Sequence, residues 1–282
     1  MGYLKIPNLY SKKHILMCYA LEKVEGSSAH IRFKDGQVTF FSGGADHNQF
    51  TLLFPANILD TFKEVFAELV NERGEYPEVV FYGEAHGGKL QGMSKHYGKD
   101  LKFIVFDVKK NGKWLNVPYA EELTLEMGLK FVPYEMGPLT EEWLDAQRDA
   151  PSKISLTDDA PKEGIVIRAI YENNYEDGYR FIYKHKNAGF RETNSVRSIS
   201  SDEDVKLWAD AEEVALEYVT PMRLSHVLQK TEYKGVEDTG NVVRAMVNDV
   251  LVEEGHDIVW NKKVEKAIGK KTVELLRRVV VE

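Results

Sequence analysis

Lys23 ends the apolar run ILMCYAL-E and stands three residues before Gly26 in EKVEG. Lysine side chains ordinarily point into water, so an ammonium at the end of an apolar stretch raises the question of its use. An amine is a nucleophile only after it has lost its proton, and partial burial or cationic neighbours disfavour the ammonium form. Further along, Lys184 and Lys186 stand two apart in KHK. On a strand both point to one face and His185 to the other. Glu84 ends VVFYGE and Glu163 opens EGIVIR, which sets two carboxylates beside strand-like runs. Singly, each pattern is common. An isolated Lys23 reads as a surface lysine, Phe106 in FIVFDV as core, Glu163 as an exposed strand-start carboxylate, and the lysine pair as the solvated face of an edge strand.

The elements that must position these groups alternate between strand and helix signals. AHIRF and QVTFF flank KDG, a hairpin turn at Lys34–Gly36. Residues 56–72 place Ile58, Leu59, Phe62, Val65, Phe66 and Leu69 at helical spacing behind Pro55. Strand-like runs follow at 79–84, 101–108, 164–170 and 179–186, and PSKISLTDDAPK (151–162) has loop composition. From about residue 200 the texture is helical. SSDEDVKLWADAEEVALEYV opens with helix-starting residues and puts Leu207, Ala211, Val214 and Tyr218 on one face. Residues 239–254 and 261–280 carry helical periodicity too. The expected organisation is α+β, with a first domain over residues 1–195 and a small all-helical domain over 200–282.

The order of the motifs says more than any one of them. Lys23-Val24-Glu25-Gly26 precedes Phe81-Tyr82-Gly83-Glu84, then Phe103 to Asp107, then Glu163 to Ile167, then Lys184-His185-Lys186. In this series the sequence resembles the covalent nucleotidyltransferases, which include RNA ligases, DNA ligases and capping enzymes. EKVEGSS, GEAHGGKLQGMSKHYGKDLKFIVFDV, EGIVIR and KHKNAGFRE together resemble the RNA ligase 2 family, the bacteriophage-type double-stranded RNA ligases, over residues 15–195. DNA ligases and capping enzymes carry an OB-fold after the lysine pair, and residues 200–282 show helical periodicity instead of many short strands.

The resemblance implies an adenylation domain of antiparallel sheets with flanking helices. It also implies transfer of AMP from ATP to Lys23, then to an RNA 5′-phosphate, then joining to a 3′-OH. It assigns Lys184 and Lys186 to the nucleotide phosphates, Glu84 to the ribose, Phe106 to stacking on adenine, and Glu22 to reading the purine. Glu163 is expected to hold Mg2+ (or Mn2+), and Gly26 to let the backbone turn tightly beside the nucleotide. The implied partner is RNA with 3′-OH and 5′-phosphate ends, as in a nicked duplex, in a repair role. Runner-up readings are a DNA-ligase-like or capping-type transferase and a module that binds RNA or nucleotide without chemistry. Two positions depart from the family pattern. Gly43 stands where a basic residue is common, with Arg32 as the candidate stand-in, and Glu25 replaces the more usual Asp, His or Asn.

Composition sets bounds on these readings. The chain has 282 residues, 43% of them hydrophobic and 29% charged, enough for one large or two modest cores. No apolar run approaches the roughly 20 residues that span a bilayer. Cys18 is the sole cysteine, which excludes an internal disulfide and any multi-cysteine metal site, and its apolar neighbours predict a packed thiol. The first residues carry no secretory pattern, so a cytoplasmic protein is expected. The sequence does not fix the oligomeric state, and a monomer is the favoured expectation. The net charge of −8 argues against nucleic acid, but it is unevenly spread. Residues 200–260 hold 14 acidic and 5 basic side chains, whereas 261–282 hold 7 basic and 3 acidic. GGKLQGMSKHYG (87–98) lacks the GxxxxGK phosphate-loop pattern and reads equally as a loop near substrate or an irregular surface loop. The eight histidines form no HExxH motif.

Overall fold

The computed structural model describes residues 16–279 apart from 56, 68, 91, 174–179, 191, 193–209, 232 and 234. In chain order its strands are β1 (Met17–Lys23), β2 (Ser27–Lys34), β3 (Gln37–Ser42), β4 (Val79–Gly87), β5 (Leu101–Lys110), β6 (Lys113–Trp114), β7 (Tyr134–Pro138), β8 (Gly164–Ala169) and β9 (Ile182–Lys186). The helices of the first part are α1 (His47–Thr51), α2 (Ile58–Ala67), α3 (Ser94–Tyr97), α4 (Val117–Glu126) and α5 (Glu141–Asp149). Those of the last part are α6 (Ala211–Tyr218), α7 (Pro221–Lys230), α8 (Thr239–Glu254) and α9 (Lys262–Val279).

β1 is buried over its middle five residues, which is why ILMCYAL shows no polar alternation. It lies inside a four-stranded antiparallel sheet of order β7-β1-β8-β9. Its alternate side chains feed two cores. Tyr19 and Leu21 join the main cluster with Phe33, Phe62 and Phe81, whereas Cys18 and Ala20 pack with Leu144 of α5 and with Ile165 and Ile167. The expected packed thiol is thus present at Cys18. The second sheet has order β3-β2-β4-β5-β6, again antiparallel. Its first hairpin closes with Lys34 opposite Gln37. Asp35 and Gly36 take positive φ angles of 51° and 70°, the type I′ geometry that matches strand twist. Mixed α and β structure with antiparallel sheets and flanking helices is therefore the architecture.

The last helices enclose a separate apolar cluster that includes Val214, Tyr218, Val242, Met246, Val250 and Ile268. Capping sets their starts. Asp210 accepts from the Glu212 and Glu213 amides, and Thr220 accepts from the Arg223 amide with Pro221 at the first helical position. Among the described residues no helix is long and apolar enough to cross a membrane.

Several element boundaries differ from expectation. The helix expected over 56–72 runs over Ile58–Ala67, with Ile58, Phe62 and Phe66 buried and Leu69 exposed past its end. The opening of the helix expected near residue 200, including Leu207, lies outside the described residues, and α6 starts behind its Asp210 cap. The strand expected over 179–186 begins at Ile182, and Tyr179 lies outside the described residues.

Candidate active site

Strand register brings together residues that are far apart in the chain. Lys23 is opposite Gly164 on β8, and Gly164 is opposite Lys186 on β9, so three adjacent strands present these residues in one rank. Glu163 immediately precedes Gly164 and is buried. Its Oε2 lies 2.7 Å from Lys23 Nζ and its Oε1 lies 3.0 Å from Lys186 Nζ. One carboxylate therefore bridges two lysine ammonium groups. A Cβ at Gly164 would meet the His185 carbonyl oxygen at 2.2 Å, so only glycine admits β9 this closely. Cationic neighbours are expected around Lys23. Its nearest charged group is instead the Glu163 carboxylate, with Lys186 on that group's other oxygen.

The Lys23–Gly26 segment is the crossing between the two sheets, since β1 ends at Lys23 and β2 starts at Ser27. Gly26 lies at a bend in this crossing without adopting a positive φ angle. Its role is close approach: a Cβ there would meet the Ala85 carbonyl oxygen at 2.2 Å and Glu84 Cγ at 2.9 Å. The crossing therefore lies directly on β4, which brings Glu84 beside Lys23.

Two adjoining cavities share Lys23 and Glu84. The polar one, about 390 Å³, is lined by Glu163, Lys184, Lys186, Glu192, His226 and Glu253 among others. The apolar one, about 190 Å³, has Leu21, Phe106, Val132, Val166 and Ile182 in its wall, with Glu22 at its edge. All the predicted site residues thus come to one place. Burial pushes the Glu84 carboxyl up to about 8, against the pull of Lys23 and with a further push from Glu163. Glu22 is held by the 151–162 loop, accepting from the Ser152 hydroxyl and, at 2.9 Å, from the Lys153 amide. Lys184 is ion-paired with Glu253 of α8. His185 faces away from the lysines and reaches Asp145 of α5 at 2.7 Å.

Arg32 does not reach this site. β2 places it opposite Val80, four residues along β4 from Glu84 and so about 13 Å away. It is ion-paired there with Glu78 at 2.7 Å. Arg32 is therefore not the substitute for a basic residue at Gly43. The glycine-rich 87–98 segment is tied to the motif rather than loose on the surface. The Glu25 carboxylate accepts from the Met93 amide at 2.5 Å, and the buried Tyr97 hydroxyl accepts from the Glu25 amide at 3.4 Å.

Sequence reasoning misses two sets of residues. Glu192, six residues past Lys186, pairs with it, and His226 of α7 reaches the same Glu192 oxygen at 3.1 Å. Charge clustering after KHK offers a signal for Glu192, but nothing local marks His226. The second set lies beneath the apolar cavity, where Arg168 pairs with Asp107 at 2.9 Å and with Glu172. Arg180 pairs with the same two carboxylates at 2.7 and 2.8 Å. Arg168 also donates to the Phe106 carbonyl at 3.3 Å, which fixes the strand that carries the ring. Among the described residues no group of three or more His, Cys, Asp or Glu side chains is arranged to hold a metal ion.

The fold resembles solved structures of a Naegleria gruberi RNA ligase. A variant with ATP and Mn is 19% identical, with a TM-score of 0.46 over 62% of this chain and 51% of that one. The form with PPi is 20% identical, with a TM-score of 0.46 over 62% and 50%. A variant with AMP and Mn is 18% identical, with a TM-score of 0.46 over 62% and 51%. The chain thus spans about half the length of these structures. A family model for RNA ligase matches residues 18–186, from β1 to the second lysine of the pair. That match covers more than half of the sequence, and this chain belongs to the RNA ligase family.

Proposed function

We propose that the protein is an ATP-dependent RNA ligase of the RNA ligase 2 type, working through lysyl-AMP and RNA-adenylate. The observation that carries this reading is the placement of Lys23 at the junction of an apolar slot and a polar cavity lined by lysines and carboxylates. Its amine there shares a buried carboxylate with Lys186. The slot suits adenine, with Phe106 on its wall and Glu22 at its edge, and Glu84 between the cavities suits the ribose. The polar cavity suits the phosphates, beside Lys184 and Lys186.

In the first step the Lys23 ammonium gives up a proton, and Glu163 at 2.7 Å is the nearest acceptor. Nζ then attacks the α-phosphorus of ATP, an N–P bond forms, and the bond to pyrophosphate breaks. Next an oxygen of the RNA 5′-phosphate attacks that phosphorus and frees Lys23. Finally the 3′-OH attacks the activated 5′-phosphate, and AMP leaves. Lys184 and Lys186 stabilise the charge that develops at each transfer.

The cavity's carboxylate oxygens are donors that suit Mg2+ or Mn2+, and Glu163 would serve as one by releasing one of its two lysine partners. No preformed protein cage exists among the described residues, so phosphate oxygens would complete the coordination. Such an ion withdraws charge from a phosphoryl oxygen. Residues 200–282 read as a second domain, whose described helices α7 and α8 contribute His226 and Glu253 to the cavity wall, joined to an adenylation domain over 1–195.

The test is the intact mass of the purified protein after incubation with magnesium and ATP, beside Lys23→Ala. One added AMP in the parent alone is the expected result. If no adduct forms, and pyrophosphate releases no AMP from protein already loaded, the reading is wrong and a binding module remains. An adduct without joining of RNA ends points to another acceptor.

A further inference from the structure

The sheet face that carries Glu84 also carries a row of rings. Glu84 and Tyr82 leave β4 on the same side, and register sets His30 opposite Tyr82 and Phe41 opposite His30. Phe41 and His30 are stacked, with centroids 4.9 Å apart and planes 19° apart. His30 and Tyr82 are tilted at 5.5 Å, and Tyr82 and Trp114 at 5.2 Å. The row therefore crosses the whole sheet from edge strand β3 to edge strand β6. Cations flank its far end, with the Arg180 guanidinium 4.0 Å from the Trp114 ring centre and Lys109 Nζ 5.0 Å from it.

The other end is open. Phe41 is 49% exposed although His30 covers one side of its ring. Ser42, Gly43 and Gly44 follow it, and a Cβ at Gly43 would make only ordinary contact with the ring, 3.8 Å from Phe41 Cε1. By strand spacing Phe41 lies about 10 Å across and about 7 Å along the sheet from Glu84. That is a reach of one or two nucleotides from the reacting lysine.

Flat rings in series with an accessible terminal ring suit nucleobases, whose faces stack on aromatic side chains without regard to sequence. At the far end Arg180 is already ion-paired with Asp107 and Glu172, which leaves Lys109 as the cation beside the row. Paired bases have those faces covered by their neighbours in the duplex, so the row selects unpaired ones. We infer that Phe41 and the ring row behind it bind unpaired bases of the RNA substrate, with a base stacking on the open side of Phe41. This rests on the ligase reading for why RNA enters the cleft, and it departs from the nicked duplex that the RNA ligase 2 resemblance implies by naming a single-stranded stretch beside the junction.

The experiment is fluorescence anisotropy on the full chain without ATP. The probe is a fluorescein-labelled single-stranded oligoribonucleotide with a 5′-hydroxyl, compared with a blunt duplex of the same strand. Phe41→Ala and Phe41→Leu should weaken single-strand binding about tenfold or more. Phe41→Trp should keep it, and duplex affinity should stay at the parent's value. Leucine preserves apolar bulk without an aromatic face, so it separates stacking from packing. If Phe41→Leu binds the single strand as the parent does, or loses duplex binding in the same proportion, the proposal is wrong. A parent protein that binds no single strand also overturns it. AMP-adduct formation by the variants reports that they are folded. Failure of the parent to form that adduct would overturn the ligase reading instead, and the anisotropy comparison would still decide the role of Phe41.

Discussion

His226 of α7 reaches Glu192 at 3.1 Å through the same carboxylate oxygen that pairs with Lys186 of β9. A residue of the helical part is thereby coupled, through one carboxylate, to a lysine of the candidate site. The other ring nitrogen of His226 is buried without a hydrogen bond, and the Glu25 carboxylate lies 3.8 Å from it.

Burial alone would lower the pKa of His226, but the Glu192 bond and the nearby Glu25 outweigh it and push the ring up to about 9. A histidine raised above its ordinary 6.5 contributes stability that is fully present below pH 6.5 and is lost as pH climbs through 9. The thermal midpoint should therefore fall between pH 7 and pH 10, by the equivalent of about 1–3 kcal/mol. His226→Gln should flatten that part of the profile. Scanning fluorimetry across the range checks this, and a parent profile flat to pH 10 would contradict it.

Glu84 behaves in the opposite sense to an ordinary surface carboxylate. Its carboxyl, raised to about 8 by burial, is protonated in the folded protein where the unfolded chain is ionised. Its contribution is fully favourable below about pH 4.5 and is lost as pH rises through 8. Because the group opens on the cavity, the loss is about 1–2 kcal/mol. Glu84→Gln should raise the melting temperature at pH 8–9 and leave it near the parent's value at pH 5, while impairing AMP-adduct formation.

Arg168 is fully buried and bonded to Asp107, Glu172 and the Phe106 carbonyl. Arg168→Met would leave one guanidinium, Arg180, to compensate two buried carboxylates. A loss of about 3–5 kcal/mol is expected by urea unfolding. Protein that remains folded should need more ATP for adduct formation, because Phe106 and Asp107 line the apolar slot. An unchanged unfolding midpoint would show that the network is not structural.

Gly26→Ala introduces a Cβ into the space held by the Ala85 carbonyl oxygen. The crossing must move off β4, at a cost of about 1–3 kcal/mol. Adduct formation should fall more than stability does, because Lys23 and Glu84 separate. Comparing adduct rates with unfolding midpoints for this variant decides whether the glycine serves the site or only the fold.

Much of the first part is legible along the chain. Alternation and turn chemistry mark the hairpin at Asp35–Gly36, and periodicity places α2, α8 and α9 to within a few residues. The motif residues stand out by their order, which resembles that of the covalent nucleotidyltransferases, although Lys23 comes from β1, Glu84 from β4 of the other sheet, Glu163 from the residue before β8 and the lysine pair from β9. Glu22, Glu84 and Phe106 are named by resemblance, and all of them line the shared cavities. Arg32 is misplaced by sequence reasoning, because proximity to Gly43 does not tell how far along a strand a side chain lies. Gly26 lies at a bend, but the need for glycine there comes from contact with β4, which no local pattern shows.

Propensity, period and turn residues act over a few positions, so the types and order of the chemical groups, and the local elements that carry them, follow from the amino acids alone. Which charges meet is a property of the folded chain. Glu163 bridging Lys23 and Lys186, His226 reaching Glu192, Glu253 pairing Lys184 and the ring row ending at Phe41 all depend on strand register and helix docking. Those are set by apolar burial summed over the whole molecule. A partner that lies 34, 69 or 140 residues away leaves no periodic trace beside the residue it meets.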